Sequence, residues 1–252
     1  MSVAIQTQGE FRNLLLSRIP ADELASLSPH LEKVHYGLGT VIIQPDSPVD
    51  YVVFPETLIA SIVALPNAER IEAVSVGREG FVGFPALLGG TSLTQTIVQI
   101  VGEGYRVEAD TFVELLETMP KFKAMLYRYI MIVLDETSLT AACNRAHPLN
   151  ERCAKWLLLV RDRHDESQFL LTHKFLATML GVRRAGVTVA AGTLQKAGMI
   201  RYSRGKVTIV NHAMLEGTAC ECYEIIRKLQ GGAHYEAAAA PPKAGVRRMA
   251  LI

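Results

Sequence analysis

The sequence has no apolar run long enough to cross a membrane as a helix. Its longest aliphatic stretch, IMIVL at 130–134, falls far short of the roughly 20 residues a span needs. The first residues lack the basic-then-apolar order of a secretory leader, so the chain is expected in the cytoplasm with no membrane partner. Cysteine is scarce: Cys143, Cys153, Cys220 and Cys222 match no zinc-ligand spacing, so they read as ordinary thiols and no metal site is assigned. Catalytic signatures are missing too. There is no G-x-S-x-G elbow, H-E-x-x-H pair, P-loop or dinucleotide fingerprint, and an enzyme is not expected.

The most informative shortage is of acid. From Thr172 to His212 there are seven basic residues (Lys174, Arg183, Arg184, Lys196, Arg201, Arg204, Lys206) and no Asp or Glu. The overall net charge of +1 conceals this, because residues 1–145 hold 10 Lys/Arg against 17 Asp/Glu while residues 146–230 hold 13 against 7. A one-sided field opposes compaction by self-repulsion, and a merely solvated surface normally mixes both signs. A polyanion partner, double-stranded DNA, is indicated.

What is present divides the chain. At 252 residues and 49% hydrophobic it can build one large or two ordinary cores. In the first 110 residues the runs TVIIQ, YVVFP, LIASIVAL, IEAVSV, TIVQIV and YRVEA alternate with Gly, Pro, Asn and Asp, the pattern of an antiparallel sandwich or barrel, flanked by small helices at about 10–18 and 21–30. From Pro120 to Arg145 the period lengthens. Phe122, Leu126, Tyr129, Val133, Thr137 and Thr140 fall on one helical stripe, which Tyr127, Ile130, Met131 and Leu134 widen. Such a helix packs on its own domain or pairs with a second copy, and the stripe supplies the candidate dimerisation contacts. The resulting division is a β-rich effector domain (1–118), a central helix (119–145), a C-terminal domain (146–230) and a Gly/Ala/Pro-rich tail (231–252) expected to be disordered.

Within the C-terminal domain, LTHKFLATMLG places Thr172 as an N-cap, Phe175, Leu176, Met179 and Leu180 on an apolar face, Ala177 at a close crossing, and Gly181 at a turn. RRAGVTVAAGTLQKAG then puts Val187, Ala190, Ala191 and Leu194 on one face and ends at Gly198. This is a helix-turn-helix, followed by two strands about Ser203-Arg204-Gly205-Lys206, a basic wing. Cations in the first turn of a helix oppose its dipole by a few tenths of a kcal/mol, so Arg183 and Arg184 call for a reason. Base readout supplies one, since a guanidinium fork on guanine O6 and N7 gives about 1–3 kcal/mol of discrimination. Arg183, Arg184, Ala185 and Thr188 are therefore candidate base contacts. Thr172, His173, Ser203, Arg204 and Lys206 are candidate backbone contacts.

Taken in order, and above all in the run LTHKFLATMLGVRRAGVTVAAGTLQKAGMIRYSRGKVTIVN, the chain resembles the Crp/Fnr superfamily of bacterial transcription regulators from about residue 20 to 228. The resemblance implies an α+β fold: an N-terminal antiparallel β-roll of cyclic-nucleotide-binding type, a long central dimerisation helix and a C-terminal winged helix-turn-helix. It also implies a homodimer on a palindromic promoter site, with RNA polymerase as a partner. Two features depart from the family pattern. Gly77, Glu79, Gly80 and Gly83 keep a glycine-rich turn for an effector pocket, but the place of the phosphate-binding arginine reads Leu93-Thr94-Gln95, and no arginine lies between Arg78 and Arg106. Cyclic AMP is thus not the expected effector, and the effector is unassigned. Iron–sulfur sensing would need N-terminal cysteines, whereas the first is Cys143; haem ligation leaves only His30, His35 and His147 as candidates. The competing reading is a cyclic-nucleotide or haem sensor whose basic domain docks onto a protein instead of DNA.

Overall fold

The computed structural model describes residues 11–66, 70–164 and 166–231. The N-terminal part is built from β1 (Glu32–Tyr36), β2 (Val41–Ile43), β3 (Tyr51–Pro55), β4 (Ile59–Ala64), β5 (Ile71–Val76), β6 (Gln95–Ile100) and β7 (Gly102–Glu108). They form two antiparallel sheets, β1-β7-β3 and β2-β6-β4-β5. Helices α1 (Ala21–Leu27), α2 (Phe84–Leu87) and α3 (Ala109–Leu116) flank them. Each expected β-rich run contributes a strand. β1 carries no such signal in the sequence, because Glu-Lys-Val-His-Tyr is mostly polar and largely exposed.

Strands β4 (IASIVA) and β6 (QTIVQI) are buried almost throughout, the polar Ser61, Gln95, Thr96 and Gln99 included, because both of their faces are covered. Ala60, Ile62 and Val98 point into the roll, while Ile59, Val63, Ile97 and Ile100 join the core of the C-terminal part. The two parts therefore share apolar packing along this seam.

The central helix α4 runs Pro120–Ala146, with proline at its first turn, where a missing N–H costs nothing. Its start is capped from far away in the chain. The buried Glu23 carboxylate accepts from Lys121 N at 3.0 Å and Phe122 N at 2.7 Å, placing negative charge at the positive end of the helix. Its end follows from Pro148, which holds His147 in extended geometry (φ −110°, ψ 144°).

Four residues of the expected dimer stripe are occupied within their own chain. Phe122 and Leu126 are fully buried, and Tyr129 and Val133 nearly so, in the core of the β-roll of their own chain. Releasing them for a dimer seam would forfeit about 1.5–3 kcal/mol per large side chain. Thr137 donates to Val133 O, and Thr140 faces the seam beside Glu72 and Trp156. Periodicity finds the two faces of a helix but not which one its own domain covers. The uncovered apolar side chains are Tyr127, Met131 and Leu134, the latter two 55% and 53% exposed.

The C-terminal part consists of α5 (Leu149–His164), β8 (Gln168–Leu170), α6 (His173–Leu180), α7 (Arg184–Lys196), β9 (Ile200–Ser203), β10 (Lys206–Ile209), α8 (His212–Thr218) and α9 (Cys222–Gln230). Helix α5 is the spine. Trp156 Nε1 donates to Glu72 Oε1 of β5 at 2.8 Å. Arg163, 3% exposed, donates to Glu79 Oε1, Ser75 Oγ and both oxygens of Glu136 on α4 at 2.8–3.0 Å. Burial pushes the Glu72 carboxyl up. The Ser61 hydroxyl lies 2.6 Å from Glu72 Oε2 and 2.5 Å from Gln99 Oε1. One hydroxyl hydrogen cannot serve two acceptors, so Ser61 accepts from one side, either from a protonated Glu72 or from the Gln99 amide turned over, whose Nε2 has no other partner. The tail expected from residue 231 lies, apart from Gly231, outside the described residues.

Candidate nucleic-acid interface

Thr172 caps α6 by accepting from Phe175 N at 3.1 Å. At the other end Gly181 adopts left-handed geometry (φ 62°, ψ 41°) and turns the chain toward α7. The turn is braced from beneath by buried Arg152 of α5, whose Nη2 donates to Leu180 O at 2.6 Å, a cation at a helix C-terminus. Buried Ala177 keeps the crossing of α6 and α7 close, and Val187, Ala190, Ala191 and Leu194 seat α7 on α5.

This seating turns the rest of α7 outward. Arg183 is its N-cap residue, with no side-chain capping bond, and Arg184 opens the helix; both are exposed, as are Ala185 and Thr188. Among the described residues, none of the seven cations between Thr172 and His212 forms an ion pair. The free N–H groups at the start of α7 add to this positive end. The wing β9–β10 extends the surface. Its two-residue turn has positive φ at both Arg204 (50°) and Gly205 (76°), and Ser203, Arg204 and Lys206 are exposed there.

Two assigned contacts are otherwise engaged. His173 is half-buried, its ring 4.4 Å from that of Tyr202 and its Nδ1 3.1 Å from Thr188 Oγ1. Burial, with Arg184 nearby, holds this imidazole below its ordinary value. Because the Thr188 hydroxyl donates to Arg184 O, His173 must donate to Thr188. Tyr202 in turn donates to Leu171 O, and its backbone N–H donates to Gln195 Oε1. His173 is thus a pin between α6, α7 and the wing rather than a phosphate contact, and Thr188 offers only its remaining lone pair. Sequence spacing cannot show this, because the partners converge from three elements.

The glycine-rich residues of the expected effector pocket have neighbours on the helices and on the roll. Gly77, Glu79 and Gly80 lie where α4 and α5 meet the roll, while Gly83 lies against β3 of the roll itself. A Cβ at Gly77 would meet Arg163 Cβ at 2.7 Å, and one at Gly80 would sit 1.8 Å from Tyr129 Cζ. Gly83 has φ 103° and caps α2 close against Val52. Gly77 and Gly80 make room for Arg163 of α5 and Tyr129 of α4, and Glu79 pairs with Arg163.

Three cysteines are gathered as well. Cys143 at the end of α4, His147 at the joint to α5, and Cys220 and Cys222 around the start of α9 place their ligand atoms within 4.8 Å of one another. The available signals are the Cys143/His147 spacing of four and the Cys-x-Cys pair; the separation of 77 positions between Cys143 and Cys220 hides their union. Only Cys153 is a plain core thiol, pushed up to about 12 by burial.

Residues 151–218 match the Crp-like helix-turn-helix domain family. No curated protein matches the chain in sequence. Among solved structures the chain is similar to a Crp/Fnr-family transcriptional regulator from Thermus thermophilus (23% identity, 75% of this chain and 98% of that one, TM-score 0.59). It is also similar to the c-di-GMP-responsive global regulator CLP of Xanthomonas campestris (17%, 75% and 99%, 0.61) and to FixK2 of Bradyrhizobium japonicum (15%, 75% and 98%, 0.61). The chain thus carries a Crp-like helix-turn-helix domain at 151–218 and shares its wider fold, β-roll and long helix included, with solved structures of Crp/Fnr-family regulators.

Proposed function

We propose that the chain is a sequence-specific, DNA-binding transcription regulator that acts as a homodimer on an inverted-repeat promoter site. The observation that carries this reading is the pair Arg183–Arg184, exposed at the start of α7 with no acid to neutralise either guanidinium. With α7 in the major groove, these two reach base edges and Ala185 follows them into the groove. Thr172, Ser203, Arg204 and Lys206 meet phosphates on either side.

The dimer forms through the face of α4 that the β-roll leaves open, where Tyr127, Met131 and Leu134 follow helical spacing and small Ala141 and Ala142 continue toward the DNA-binding end. A two-fold axis along α4 sets two recognition helices about 34 Å apart, one turn of duplex. RNA polymerase is the enzyme whose access to the promoter such binding changes. The same relatives are regulators, and no catalytic step enters this reading.

Selection of bound duplexes from a random pool tests it. The expected product is an inverted repeat with guanines in each half-site, its two halves one helical turn apart. Enrichment of single half-sites would remove the dimer, and no enrichment at low ionic strength would remove DNA binding.

A further inference from the structure

The cluster of three thiols and one imidazole at the joint between α4 and α5 plays no part in the interface above. We propose that Cys143, His147, Cys220 and Cys222 form a structural zinc site that fastens the end of α4 to the start of α9.

Geometry is the first support. Zinc held tetrahedrally, with Zn–S near 2.3 Å and Zn–N near 2.0 Å, needs sulfurs about 3.8 Å apart and a sulfur and nitrogen about 3.5 Å apart. Here Cys143 Sγ and Cys220 Sγ are 3.6 Å apart, and Cys222 Sγ and His147 Nδ1 are 3.7 Å apart. The histidine supplies the second support. Its Nδ1 faces the thiols while its Nε2 lies 3.1 Å from the Glu221 carboxylate, the outer partner that fixes tautomer and ring orientation in metal-ligating histidines. Charge supplies the third. Three thiolates and one Zn²⁺ leave one net negative charge, and buried Lys155 and Arg152 of α5 both interact electrostatically with Cys143.

The donor set selects a thiophilic ion over magnesium or calcium, which take oxygen ligands. Four protein ligands close the coordination shell, so the site holds structure and performs no catalysis. Loading releases the three thiol protons. Its placement joins the helix that carries the dimer face to the last helix of the DNA-binding part, across the break at His147-Pro148. The proposal stands apart from DNA binding, because metal content is read on the free protein.

The test uses the full chain, purified under reducing, chelator-free conditions, with metal measured by mass spectrometry and Co²⁺ substituted for zinc. One zinc per chain is expected, and Co²⁺ should give an intense sulfur-to-metal charge-transfer band with tetrahedral d–d absorption. Cys222→Ser should lower zinc affinity at least tenfold and Glu221→Gln roughly tenfold, while Cys153→Ser retains full loading. Three outcomes would overturn the assignment: zinc-free protein whose Co²⁺ spectrum is weak and octahedral, a Cys143–Cys220 disulfide in place of metal, or equal zinc loss in Cys153→Ser. The cobalt spectrum is read on the unsubstituted chain, so a variant that fails to fold does not decide the matter.

Discussion

Arg163 and Arg184 carry the same side chain into opposite surroundings. Arg163 is sealed between α5, α4 and the β-roll, and its guanidinium is satisfied by Glu79, Glu136 and Ser75. Arg184 stands at the tip of α7 with water on its outer side and no acid in reach. A buried guanidinium is tolerated only when its own chain pairs it, whereas an exposed one that costs helix stability is retained for something outside the chain. The first holds two parts of the molecule together. The second waits for a partner.

Removing each arginine should therefore break different things. Arg163→Met strands Glu79 and Glu136 without their cation and should cost about 3–5 kcal/mol of unfolding free energy, read by denaturant titration. A loss below about 1 kcal/mol would mean the seam does not depend on the pair. Arg184→Ala should leave stability within about 0.5 kcal/mol while losing about 1–3 kcal/mol of discrimination at one guanine per half-site, read by competition among duplex variants. Unchanged preference there would return Arg184 to an ordinary surface role.

Glu72 sharpens the comparison as a buried acid whose hydrogen-bond partners, Ser61 and Trp156, are neutral. Burial raises its folded-state pKa, so its contribution is fully present below the unfolded value of about 4.3 and is lost as pH rises through the folded value. Glu72→Gln keeps the acceptor for Trp156 and a donor for Ser61 without that penalty. Its stability relative to wild type should grow with pH above the ordinary carboxylate range, and a flat difference would show Glu72 ionised throughout. The smallest effect belongs to the wing. Arg204→Asn, which suits the positive φ, should weaken all duplexes alike and reduce the slope of log affinity against log salt by about 1.

Much of this is legible in the residues. The β-rich first half, the long helix from Pro120, the capping Thr172, the Gly181 turn and the basic wing all follow from local preference and period, which act over a few neighbours. Where partners come from distant segments, local pattern misleads. Phe122, Leu126, Tyr129 and Val133 share one face of α4 as their spacing requires, but that face meets the roll of its own chain, around Phe81, instead of a second copy. His173 looks free in the sequence, yet Tyr202 and Thr188 close on it. The glycines at 77 and 80 look like a ligand turn, yet they make room for Arg163 and Tyr129.

The residues alone determined that this chain has a β-rich part, a long helix and a helix-turn-helix with an acid-free cationic surface, because composition, periodicity and turn chemistry are local properties. Only the tertiary structure decided which face of α4 is spent on its own roll, which arginine is a strut and which is exposed, and that Cys143, His147, Cys220 and Cys222 meet at one point. Those outcomes depend on distances between segments far apart in the chain, which the packing of α5 against both halves sets and no local pattern encodes.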